Sequence, residues 1–213
     1  MTSFTAQSGR EKNMALLDYP VFSGTSAYNS IDTYVSTLPN GGGLVQPGIA
    51  AKMPITPALA NVKGQGAPLV LRYVRYNSTA NPAIGAAPGP VYWTDETLTT
   101  VSGVSTESVG GVNMISGCLL INTTNYPGSL TGAQLATALN GNYCWIAVSG
   151  YVAGVTCPNS VVAGDTLIGA ATNFTLARIA AGSQLTNTLF ARALSTVSAN
   201  VADMLIGGFD WEF

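Results

Sequence analysis

"NYCWIAVSGYVAGVTC", residues 142–157, carries aromatic and β-branched residues from end to end and no charged residue. Such side chains fit a pleated, half-buried surface, so the stretch predicts a long strand. Gly150, near its middle, predicts a kink. A strand of this length needs neighbours on both edges, and the flanking sequence offers them. "APLVLRYVRY" (67–76) alternates, with Leu69, Leu71, Tyr73 and Arg75 on one face and Val70, Arg72, Val74 and Tyr76 on the other. "GPVYWTD" (89–95) is a short β-rich run ending in a polar turn, and "VNMISGCLLINT" (112–123) is another, with a bulge expected at Gly117. "FTLARI", "TLFARALSTV" and "DMLIGGFDWEF" complete the set. One helix interrupts it. In "SLTGAQLATALNG" (129–141), Ser129 or Thr131 is the N-cap, Leu135 and Leu139 lie at i and i+4, and Gly141 is the stop. The expectation is a mainly all-β body over residues 66–213, a β-barrel or β-sandwich with one short helix.

The body also repeats itself. "GPVYWTDETLTTV" begins at Gly89 and "GDTLIGAATNFTLARI" at Gly164, and the same offset sets "NMISGCLL" against "TLFARALS". Each unit reads as a Gly-led turn, a strand, a polar turn, a second strand, a loop and a third apolar strand.

Residues 1–65 read differently. Six of the eleven prolines fall early in the chain: Pro20, Pro39, Pro47, Pro54, Pro57 and Pro68. Proline at this spacing forbids a long helix and breaks the ladder of a central strand. An extended Pro-rich arm with loops and edge strands fits. It cannot bury Met14, Leu16, Leu17, Tyr19, Val21 and Phe22 by itself, so these imply a surface to lie on, either this subunit's body or a neighbour's. Six of the eight basic residues fall no later than Arg75 (Arg10, Lys12, Lys52, Lys63, Arg72, Arg75), whereas none lies between Arg75 and Arg178. The arm thus differs from the body in the partners its charge suits.

Only 8% of the chain is charged, against about 25% in ordinary domains. Apolar residues make up 47%, and the mean hydropathy is +0.30. A surface of small neutral polar groups associates readily, because few charges need desolvating when copies meet. That composition suits a subunit of an assembly. The formal net charge of −2 gives no basis for nucleic-acid binding. No secretory signal precedes the first charges, and no apolar run reaches the length of a membrane helix. Synthesis in a reducing cytoplasm is expected, with Cys118, Cys144 and Cys157 as buried free thiols. Their odd count and spacing suit neither a disulfide framework nor a zinc site.

Gly164-Asp165-Thr166-Leu167 lies one hydroxyl homologue from the Gly-Asp-Ser-Leu signature of a lipase and esterase family. That chemistry needs a general base, usually His, and this chain has none. A Ser-Lys arrangement has only Lys52 and Lys63 to draw on. Asp95, Glu96 and Glu107 are the candidates for paired-carboxylate chemistry, but Asp95-Glu96 reads more simply as a turn. Phosphate-loop and dinucleotide fingerprints are absent from the sequence. No enzyme, cofactor or metal is expected, and Gly164-Asp165 reads as a turn into a strand.

The order "GNYCWIAVSGYVAGV", "VVAGDTLIGA", "FTLARI", "TLFARALSTV", "MLIGGFDW" over residues 87–213 resembles the small head decoration, or cement, proteins of tailed bacteriophages. "FARAL" departs from that family's usual Gly before an Ala-Leu pair. The resemblance implies a β-rich virion protein made in the host cytoplasm that binds the capsid exterior. Its partners would be the major capsid protein and further copies of itself, a homotrimer before a homodimer, with no nucleic acid and no membrane. Candidate partner contacts are Arg10, Lys12, Leu16, Leu17, Tyr19, Phe22, Lys52 and Lys63 in the arm. At the other end they are Phe209, Trp211 and Phe213, which alternate with Asp210 and Glu212. The alternative is a tail-associated or adhesin-like module that binds a cell-surface glycan through Tyr92, Trp93, Tyr143 and Trp145.

Overall fold

The computed structural model describes Ile31, the backbone of Ala50–Met53, and residues 69–126, 128–179 and 190–207. These form ten strands and one α-helix. In chain order they are β1 (Ala50–Met53), β2 (Leu69–Tyr76), β3 (Gly89–Trp93), β4 (Thr100–Ser102), β5 (Ile115–Leu119), α1 (Gly132–Leu139), β6 (Tyr143–Thr156), β7 (Thr166–Gly169), β8 (Leu176–Arg178), β9 (Ala191–Ala193) and β10 (Val201–Ile206). The mainly β body with a single short helix is what the described residues build, and its heart is a closed five-strand barrel.

The barrel runs β2-β4-β3-β5-β6 and closes because β6 also pairs with β2. Tyr73 lies opposite Trp145 and Val74 opposite Cys144 across that antiparallel pair. The opposite seam is short: β2 and β4 run parallel and share only Arg75↔Thr100 and Tyr76↔Val101. β1 takes Leu69–Arg72, with Lys52 opposite Val70. Alternation on β2 separates two cores. Val74 and Tyr76 join Val91, Trp93, Val101, Cys144, Ile146 and Val148. Leu71 and Tyr73 join Tyr92, Cys118, Trp145 and the apolar residues of β7 to β10. Leu135, Ala136 and Leu139 of α1 fill the barrel cluster. Thr131 starts the helix with a capping box: its hydroxyl accepts from the Gln134 N–H, while the Gln134 side chain accepts from the Thr131 N–H. Gly141 follows the Asn140 C-cap at φ +83°, which ends the helix as its position suggests.

β6 serves twice. Its first half belongs to the barrel, and its second half pairs with β10, Ile206 lying opposite Gly150. Gly150, at φ +107°, turns the strand from one sheet into the other. The second sheet continues β10-β9-β7-β8. Its pairings echo the barrel's. β3 pairs antiparallel with β4 and β5, as β7 does with β8 and β9. Val91 faces Gly117, and at the equivalent place in the second unit Thr166 faces Arg192. β5–β6 and β9–β10 are likewise both antiparallel. A counterpart of the β2–β4 seam, between β6 and β8, is missing among the described residues. Among the described residues the second sheet therefore stays open, and its apolar face lies on the outside of the barrel.

Ile31 packs against the barrel cluster. With β1, it is what the structure describes of the N-terminal segment, and both lie on this chain's own body. Arg10, Lys12, Leu16, Leu17, Tyr19, Phe22, Lys63, Phe209, Trp211 and Phe213 fall outside the described residues, as does the side chain of Lys52.

Candidate functional site

Gly164-Asp165-Thr166 resolves as a turn. Gly164 sits at φ +94°, a conformation that favours glycine. The Asp165 N–H donates to the Val162 carbonyl at 3.1 Å, and its carboxylate accepts from the Val162 N–H at 2.8 Å. The same carboxylate meets the Arg178 guanidinium at 2.7 Å, which ties the start of β7 to the end of β8. Thr166 opens β7 opposite Arg192. Asp165 thus has a complete structural employment, and the side chain across from Thr166 is a cation that cannot take a proton.

Two of the other acids singled out in the sequence, Asp95 and Glu107, are also held by local bonds. The Asp95 carboxylate accepts from the backbone N–H groups of Thr99 and Thr100 at 3.0 and 3.2 Å, and from the hydroxyls of Thr97 and Thr99 at 3.0 and 2.8 Å. Glu107 accepts from the Ala80 N–H at 2.7 Å and from the Ser102 hydroxyl. Partial burial pushes both carboxyls up, but these donors outweigh it and hold both below the ordinary carboxylate range. The sign of the pH dependence follows. A carboxyl depressed in the folded state contributes stability above its unfolded pKa, and that contribution is lost as pH falls through the folded pKa. The unfolding midpoint in urea should hold steady near neutrality and fall below about pH 4. Glu107→Gln should flatten that fall, because the amide oxygen still accepts but no longer titrates. An unchanged acid limb in that variant would remove Glu107 from the account.

Arg72 projects toward the barrel cluster with its guanidinium 4.9 Å from the Trp93 ring centre. Burial lowers its pKa, and Asp95 opposes the shift. Tyr73 stacks on Tyr143 at 5.6 Å and meets Trp145 at 5.2 Å. Tyr92, Trp93 and Trp145 are buried and Tyr143 is half-buried. All four of the aromatics considered for a glycan take part in packing. Cys118, Cys144 and Cys157 are buried and unpaired. Burial pushes the Cys144 thiol up to about 12 and raises the other two, which keeps all three protonated.

A concave feature lies among the described residues of the second sheet. Ser149, Thr166, Arg192, Leu205, Ile206 and Gly207 line an open cleft of about 520 Å³ on the second sheet. Thr166, Arg192, Leu205 and Tyr151 form one row across β7, β9, β10 and β6. Of this face the sequence singles out only Thr166, in the Gly-Asp-Thr-Leu motif; the other members come from three further strands and belong to no chemical motif. Comparison with protein-family models, with curated proteins and with solved structures finds no match for this chain.

Proposed function

We propose that this chain is a structural virion protein that binds the outer surface of a tailed-phage capsid and stabilises the shell through protein–protein contacts. Its partners are the major capsid protein and further copies of itself, as a trimer before a dimer. The reading starts from the sequence pattern shared with head decoration proteins. The observation that carries it here is the character of the body's surface. The fully described stretches hold four arginines and five acids. Of these, Asp165 and Arg178 neutralise each other, Asp95 and Glu107 are spent on local hydrogen bonds, and Arg72 stacks on Trp93. What is left to face a partner is mainly neutral and requires little desolvation of charge on association.

The test is sedimentation with capsid shells that lack the protein. The full chain should co-sediment and raise the temperature at which the shells open. A chain beginning at Gly64 loses the arm and β1, and should bind the shells poorly. Failure of the full chain to bind any shell, together with capture of defined oligosaccharides on an array, would replace this reading with the glycan-binding one.

A further inference from the structure

The fully described stretches hold four arginines, and three of them are engaged. Arg72 stacks on Trp93, the Arg75 Nε donates to the Gly141 carbonyl at 3.2 Å, and Arg178 meets Asp165. Arg192 is exposed and has neither an ion pair nor a side-chain hydrogen bond among the described residues. Strand register puts its side chain in one row with Thr166, Leu205 and Tyr151. The alternate residues Leu167, Ala191, Met204 and Ile206 are buried in the core on the other face of the sheet. Arg192 and Leu205 therefore floor the cleft, with Thr166 on its β7 side and Ser149 on its β6 side. The hydroxyls of Thr166 and Ser149 make no hydrogen bond among the described residues. Asp203, the acid on this face of β10, accepts from the Gly154 N–H at 3.1 Å and forms no ion pair with Arg192.

We propose that this cleft binds a small hydroxylated carboxylate, the chemistry of a hexuronic acid, with the carboxylate on Arg192. Its volume of about 520 Å³ lies within the roughly 300–1,000 Å³ of small-molecule sites. Inside the sheet, the backbone N–H and C=O groups of β6, β10, β9 and β7 are committed to the ladders between those strands, so recognition falls to side chains. That disfavours an extended peptide, which docks through main-chain bonds at a sheet edge. The side chains available are one guanidinium, two hydroxyls and the apolar surface of Leu205. A guanidinium takes a carboxylate through two parallel hydrogen bonds. A phosphate monoester carries about two negative charges, and a single arginine would leave one of them uncompensated. Ser149 and Thr166 can exchange hydrogen bonds with ring hydroxyls, while Leu205 meets the C–H face of the ring.

Isothermal titration calorimetry of the full chain with D-glucuronate, D-glucose and acetate tests the assignment. Glucuronate should bind saturably. Glucose and acetate should each bind at least about tenfold more weakly, since each lacks one half of the match. Arg192→Gln should weaken glucuronate by a similar factor, and Thr166→Val by a few-fold. Arg192 is exposed, so its variant keeps the fold and stays informative if Thr166→Val does not. Glucuronate that does not bind overturns the proposal, and so does binding that Arg192→Gln leaves unchanged. Acetate bound as tightly as glucuronate reduces the cleft to a contact for any carboxylate and overturns the sugar assignment, and glucose bound as tightly overturns the role of Arg192. Co-sedimentation with capsid shells is a separate readout, which Arg192→Gln should retain. Its loss in that variant, with no glucuronate bound by the parent chain, would give the cleft to the capsid partner instead.

Discussion

Tyr92→Ala should lower the stability of the body by about 3–5 kcal/mol, the range for removing a large aromatic from a core. Tyr92 lies on β3, but its side chain leaves the barrel and enters the core shared with the second sheet, where it is fully buried. Its hydroxyl donates to the Ala170 carbonyl at 3.0 Å and accepts from the Ala170 N–H at 3.2 Å. Burial raises the pKa of that hydroxyl, and the bond to Ala170 pulls it back. The ring therefore fills the space between barrel and sheet while the hydroxyl fixes the end of β7. Tyr92→Phe separates the two roles. It keeps the ring and leaves two backbone groups without their partner, at a cost of about 1–3 kcal/mol. Since whole domains hold only about 5–15 kcal/mol, the alanine variant approaches the limit of folding. Urea unfolding measures both, and equal losses for Phe and Ala would show that packing of the ring contributes nothing.

Gly169→Val should cost at least the upper end of the roughly 1–3 kcal/mol typical of overpacking. A Cβ at Gly169 would collide with the Val112 carbonyl and come within 3.0 Å of the Tyr92 ring. The first obstacle is backbone and cannot rotate away, so β7 would have to lift from the barrel. Gly169→Ala should act in the same direction with a smaller loss. Because the added atom also touches Tyr92, the effects of Gly169→Ala and Tyr92→Phe should not add. A urea midpoint for Gly169→Val within error of the parent protein would mean that the second sheet does not seat on the barrel at this point.

Much of this architecture is legible in local sequence. Period-two alternation in "LVLRYVRY" sends Leu71 and Tyr73 to one core and Val74 and Tyr76 to the other, since a strand offers only two faces. Thr131 and Gly141 bound α1 because capping depends on a few adjacent residues. The Gly164-Asp165 turn is equally local. The candidate site was not legible in this way. Ser149, Thr166, Arg192 and Leu205 lie far apart along the chain, on four different strands, and meet only through strand register.

The sequence by itself determined that this chain is mainly β, that its one helix starts after Ser129 or Thr131 and stops at Gly141, and that Gly150 bends a long strand. Only the tertiary structure decided that the first unit closes into a barrel and that the second, among the described residues, stays open. It also decided that one strand, β6, belongs to both. The physical reason is that closure rests on non-local pairing. The β2–β4 seam joins residues by only two register pairs, and α1 fills the lumen behind it. Neither condition is written into the alternation of a single strand, which is the same whether its neighbours curl round to meet or lie open on another sheet.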